Sequence, residues 1–158
     1  MSRSLIFVVI VGAGIGLLLP AGRAPAPAAE ASAASAPVPV ETRVPRQRNG
    51  HFYVDATVNG QLVRFLVDTG ATMVALTEED AVRVGIRVDP KNYEDVGRGA
   101  AGFVRGQRTA IASIEIGGKR VTNVRGAVIE GADQSLLGQS YLSQIRSVEM
   151  TGDEMILR

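Results

Sequence analysis

The chain has 158 residues, a formal net charge of +1, 4% aromatic residues and no cysteine. That balance supplies neither a basic face nor a stacking platform for nucleic acid. It also excludes a disulfide framework and thiolate chemistry.

An apolar run from Leu5 to Leu19 lies between Arg3 and Pro20. It suits the core of a signal peptide and falls short of the about 20 residues of a bilayer helix. Arg3 favours a cytoplasmic start and an exported remainder. Small residues around Ala26–Ala29 offer a cleavage site, so a cleaved signal and a retained anchor both stay open. Gly12, Gly14 and Gly16 imitate a dinucleotide-binding turn, but Pro20 stops the helix that such a turn needs. Residues 20–40 are mainly Ala and Pro and read as an extended tether, with Arg43, Arg46 and Arg48 as a solvated boundary. The expected organisation is a signal peptide or single transmembrane anchor over 1–22, a tether over 23–46 and one folded domain over 47–158.

From Phe52 the pattern has period two. Tyr53, Asp55 and Thr57 alternate with Val54, Ala56 and Val58, and Asn59-Gly60 is a hairpin turn. Leu62 to Val67 forms the return strand and delivers Asp68 into an Asp68-Thr69-Gly70 turn followed by Ala71-Thr72. A strand end presents a carboxylate for chemistry in this way, although the same triplet also serves as an ordinary Asx turn. Val74 to Leu76 is a short strand. Thr77 caps a helix with Glu78, Glu79 and Asp80 in its first turn, Ala81, Val82 and Val84 on its apolar side, and Gly85 at its end.

Gly97-Arg98-Gly99-Ala100-Ala101-Gly102 has the spacing of a nucleotide loop but lacks the strand before it and the helix after it. A mobile hairpin fits better, with Phe103 and Val104 placed to touch a ligand. The elements then recur: a strand from Ile111 to Ile116, a turn at Gly117-Gly118, and a return from Val121 to Ile129. In this reading Leu136-Leu137-Gly138 occupies the place of Asp68-Thr69-Gly70, and Gln139 to Ile145 forms a second helix. Val148–Met150 and Met155–Leu157 close the chain as a hairpin. Short strands with tight turns predict a small, mainly antiparallel β-barrel with one or two short helices. His51 stands at a strand edge without a nucleophile motif, and no ligand spacing suggests a metal, so no metal or cofactor is expected.

Phe65–Thr72 together with Leu136–Gly138 resembles the retropepsin-like aspartic proteases. Asn49–Phe52, Val58-Asn59-Gly60, Asp80 to Gly85 and Ser135–Leu142 extend the likeness to a bacterial, membrane-anchored, single-lobe branch of that group. The resemblance covers about residues 47–158. It implies a closed retropepsin-like barrel and a homodimer in which Asp68 of each copy forms a catalytic dyad. It implies that Thr69 joins the two turns, that Gly70 lets the backbone approach the carboxylate, and that Thr72 hydrogen-bonds Asp68. Leu136-Leu137-Gly138 would pack behind as scaffold. Ala101, Gly102 and Phe103 would belong to a substrate-binding flap, with Ala101 departing from the polar residue usual there.

The expected function is therefore an aspartic endopeptidase acting on exported or membrane proteins. It would sit at the bacterial inner membrane facing the periplasm, or in the periplasm if the first segment is cleaved. The alternative is a non-catalytic dimeric peptide-binding module of the same fold. A monomer using a single aspartate is a third reading, weakened by the lack of a second carboxylate in a matching motif.

Overall fold

Asn59 and Gly60 both adopt positive φ, +48° and +88°. This is the geometry in which a two-residue turn matches the twist of its strands. The turn joins β2 (Tyr53–Val58) to β3 (Gln61–Val67) in the computed structural model of the chain, which describes residues 40–99 and 102–158. Residues 1–39 and the flap residue Ala101 lie outside the described residues. Among those described, no helix is long and apolar enough to cross a membrane.

β4 (Val74–Leu76) and α1 (Glu78–Arg83) follow β3. β5 (Glu94–Gly99) and the long β6 (Gly102–Ile116) come next, after a 3-10 turn at Pro90–Asn92. β7 (Lys119–Ile129), β8 (Ser135–Leu137) and α2 (Gln139–Leu142) complete the barrel part. The strands run in the order β2-β3-β8-β4-β7-β6, and β6 pairs back onto β2 through Thr57–Glu115 and Val58–Ile114. The result is a closed barrel of six strands. Closure removes the exposed edges that a small sheet would otherwise present. β5 hangs on β6 outside the ring and keeps one edge free.

Alternation along the strands fills the interior. Val58, Val63, Phe65, Ile111, Ile114, Val124 and Leu137 are fully enclosed or nearly so. Tyr141 of α2 is also buried, and its hydroxyl donates to Lys119 O at 2.8 Å. Burial pushes that phenol well above its ordinary pKa, so it stays a neutral donor.

The expected internal repeat is present in the pairings, with a different alignment. β3 runs parallel to β8, β7 runs parallel to β4, and β4 crosses β8 at Ala75–Leu136. Val74-Ala75-Leu76 thus corresponds to Ser135-Leu136-Leu137. Leu136-Leu137-Gly138 matches Ala75-Leu76-Thr77 and not Asp68-Thr69-Gly70. The turn that precedes β8 as Asp68-Thr69-Gly70 precedes β4 is Ile129-Glu130-Gly131. Both stretches begin with an aliphatic residue and end in Gly, and without a second aspartate nothing in the residues marked the true partner.

Two boundaries also shift. Val82, placed on the apolar side of α1, is 65% exposed, because Ala81 and Val84 already define the inward face. α2 is a single turn rather than a helix reaching Ile145. Thr77 caps α1 as expected, its hydroxyl accepting from the Asp80 N–H at 3.1 Å, and Gly85 follows at φ +79°.

The chain ends form a second sheet. β9 (Val148–Thr151) and β10 (Glu154–Leu157) are the expected hairpin, and β1 (Thr42–Pro45) pairs on the other side of β10. Residues 42–45 therefore belong to the folded part rather than to the tether. Val44 is buried, and Lys119 Nζ donates to Val40 O at 2.7 Å and to Thr42 Oγ1 at 2.8 Å. A four-residue strand whose partner lies at the far end of the chain carries almost no local signal.

Candidate active site

Asp68 is the first residue beyond β3. The parallel register Val67–Leu137 brings its N–H to Leu137 O at 3.1 Å, so the barrel itself fixes where the strand ends. The carboxylate is half-buried. The Gly70 N–H donates to Asp68 Oδ1 at 2.9 Å, and the Ala71 N–H donates to Asp68 O at 3.3 Å. A Cβ at position 70 would stand 3.3 Å from Oδ1, which is tight. Glycine therefore gives the carboxylate room beside the backbone that holds it.

The start of α2 grips this turn from behind. The Gln139 N–H donates to Ala71 O at 2.8 Å, and Gln139 Nε2 donates to Thr69 O at 2.9 Å. Gly138 lies so close that a Cβ there would stand 2.2 Å from Met73 O. The buried Ser140 hydroxyl accepts from the Val74 N–H at 2.9 Å and donates to Arg125 O at 2.6 Å. At the other end of β4 the Ser135 hydroxyl accepts from the Thr77 N–H and donates to Asp80. Neither Gln139 nor the two serines stood out in the sequence. Their partners come from strand pairings between the two halves, and a lone Gln or Ser gives no signal of that.

Thr69 and Thr72 both have exposed side chains. The hydrogen bond expected from Thr72 to Asp68 is not formed within the single chain, where the Gly70 N–H holds Oδ1 instead.

Asp68 opens onto a groove of about 480 Å³. Met73, Ala75, Ile129 and Leu136 wall it on the barrel side, and Val96, Gly97, Gly99 and Val104 wall it on the side of the β5–β6 hairpin. Leu136, expected to be pure scaffold, is thus part of the wall, while Leu137 is fully buried. Asp68 and Arg98 are the charged residues of the lining. A depression of about 510 Å³ beside α1 is lined instead by Arg64, Glu78, Glu79, Asp80, Arg83 and Asp133. Mainly apolar walls with few polar groups suit the side chains of a peptide better than such a charged hollow.

The β5–β6 hairpin stands where a flap is expected. Arg98 pairs with Phe103 and Gly99 with Gly102, which has φ +122°. Val104 lines the groove. Phe103 is 70% exposed, and the Arg98 guanidinium lies 5.3 Å from its ring centroid. Successive strand residues face opposite sides, so of the two expected contacts Val104 takes the groove and Phe103 does not. Among the described residues no group of three or more His, Cys, Asp or Glu side chains gathers to hold a metal.

A family model described as gag-polyprotein putative aspartyl protease matches residues 54–144. An uncharacterized protein of Sinorhizobium sp. is 38% identical over 125 residues, covering 75% of this chain and 52% of that protein. An uncharacterized protein of Rickettsia prowazekii is 35% identical over 118 residues, covering 74% of this chain and 51% of that protein. The chain thus spans about half the length of the curated relatives it matches. Among solved structures, a retropepsin-like aspartic protease from Rickettsia conorii superimposes with a TM-score of 0.63 at 36% identity, covering 74% of this chain and 89% of that one. The EIAV protease in complex with an inhibitor shares the fold, with a TM-score of 0.51 at 21% identity over 63% of this chain and 91% of that one. By matched residues and by fold, the chain belongs to the retropepsin-like aspartic proteases, in the family of gag-polyprotein aspartyl proteases.

Proposed function

We propose that the chain is an aspartic endopeptidase whose site is completed by a second copy. One observation carries the reading: among the described residues Asp68 is the sole carboxylate lining a mainly apolar, peptide-sized groove, and the equivalent turn of the second half offers Ile129. A second chain related by a twofold axis supplies the second carboxylate. The exposed hydroxyls of Thr69 and Thr72 then meet their counterparts across that axis.

Two carboxylates about 3 Å apart cannot both ionise readily, so the pair shares one proton. The ionised aspartate takes a proton from a bound water. The protonated one donates to the scissile carbonyl oxygen as the water oxygen attacks the carbon. The tetrahedral diol then collapses as its amine leaves with a proton. Acid–base help of this kind contributes on the order of 10²–10⁴ in rate, and orientation in the closed groove supplies the rest.

The substrate is an extended protein segment. The free edge of β5 offers main-chain pairing, and the apolar walls take aliphatic or aromatic side chains. We place the domain outside the inner membrane, held by residues 1–22 through the Ala/Pro tether, or free in the periplasm if that segment is cleaved. This rests on the apolar run and Arg3. The test is cleavage of a diverse peptide library across about pH 4 to 7, since a coupled pair shows itself in the pH profile of the rate. Turnover that vanishes in Asp68→Asn supports the proposal. Turnover that survives in Asp68→Asn overturns it, and peptide binding without turnover in either identifies a binding module.

A further inference from the structure

We infer that Gln139 is a positioning residue for Asp68 and acts through a single peptide group. The inference rests on the aspartic-protease reading of the site. Thr69 C=O and Gly70 N–H are the two ends of one planar peptide unit. Gln139 Nε2 donates to the carbonyl end at 2.9 Å, and the N–H end donates to Asp68 Oδ1 at 2.9 Å. The relay runs from side-chain amide to peptide to carboxylate without a break.

Two consequences follow from the chemistry of that unit. A plane held at both ends cannot tilt, so the direction from which Oδ1 is held is fixed. Donation to the carbonyl also polarises the peptide and strengthens its N–H as a donor. A stronger donor favours the ionised carboxylate, the form that must accept a proton from water. The Gln139 N–H holds Ala71 O as well, so α2 grips the turn on both sides of Gly70. Arg98 is the other charged residue lining the groove, and the Asp68 of a second copy would face it in the dimer.

The matching helix of the first half acts as an internal control. Glu78 opens α1 as Gln139 opens α2. Its carboxylate accepts from the Tyr93 hydroxyl and cannot donate to a carbonyl as an amide does. The amide donor thus stands only behind the turn that carries the aspartate.

Two variants of the full chain test the inference. Gln139→Met keeps the shape and removes the donor. Gln139→Glu can donate to Thr69 O only while its carboxyl is protonated. In Gln139→Met, kcat is expected to fall roughly 3- to 10-fold, the effect of one hydrogen bond of about 1 kcal/mol. The acid limb of the pH profile moves to higher pH, while KM and the unfolding temperature hold. Gln139→Glu keeps near wild-type turnover at the acid end and loses it as its carboxyl ionises. Titration of the Asp68 carboxyl carbon by NMR needs no turnover, and its midpoint is expected to rise in Gln139→Met. An unchanged midpoint and acid limb overturn the inference, as does a loss that only tracks a lower unfolding temperature. Asp68→Asn alongside separates the two ideas. Turnover that survives that change sinks the protease reading itself, whatever Gln139 does.

Discussion

At the scale of single residues, two glycines separate catalysis from stability. A methyl at Gly70 would press on Asp68 Oδ1 at 3.3 Å, a side-chain atom that can turn aside. A methyl at Gly138 would meet Met73 O at 2.2 Å and Ala71 O at 2.8 Å, both backbone. Gly70→Ala is therefore expected to lower kcat at least 10-fold with the unfolding temperature nearly unchanged, since about 1.4 kcal/mol of misplacement suffices. Gly138→Ala is expected to cost at least about 2 kcal/mol of stability, as backbone overpacking does, measured by denaturant unfolding. Asp68-Thr69-Gly70 was legible because its meaning is local: a strand end, a turn and a short-range hydrogen bond. Gln139 was not, because the carbonyl it holds belongs to a turn in the other half of the chain.

Between elements, the hairpins and caps were readable and their pairings were not. Asn59-Gly60, Gly117-Gly118 and the Thr77 cap all occur where the sequence placed them. The parallel β3–β8 and β4–β7 contacts join short apolar strands that carry no register of their own. Those contacts decide which face each residue presents. In the β5–β6 hairpin, Val104→Ala is expected to raise KM several-fold, roughly the effect of losing two methyl groups from a wall, while Phe103→Ala leaves KM unchanged. Steady-state kinetics on one peptide checks both. In the barrel, Ser140→Ala leaves the Val74 N–H without its hydroxyl partner in a buried setting. A loss of about 1–3 kcal/mol in unfolding free energy is expected.

Across the whole molecule, a small barrel was legible from short strands and tight turns and its closure from the family resemblance; the pairing that closes the ring was not, since β2–β6 joins residues far apart in the chain. The sheet of chain ends was equally hidden. Arg158 clamps it by contacts to Glu41 at 2.8 Å and Glu149 at 2.5 Å, and Arg43 bonds Glu154 at 2.6 Å. Hydrogen bonds from Arg158 hold the Glu41 and Glu149 carboxyls below their ordinary pKa. Their stabilisation is complete above the ordinary value and is lost as pH falls through the lowered folded values. Glu41 and Glu149 are exposed while Arg158 is half-buried, so salt weakens the effect. From about pH 5 to pH 3, the unfolding temperature of the wild type is expected to drop more than that of Arg158→Gln, and the difference should shrink in high salt. Parallel slopes would remove the clamp.

The two-chain site is the claim on which the whole account turns, and it is tested most directly by mixing subunits. Peptide cleavage is measured while a constant amount of wild-type chain is titrated with excess Asp68→Asn. If each site needs Asp68 from both copies, the variant captures wild-type chains in dead pairs and activity falls toward zero, and wild-type activity alone rises faster than linearly with dilute chain concentration. Activity that stays constant through the titration and scales linearly with concentration would mean that one chain cleaves by itself, and would contradict the account.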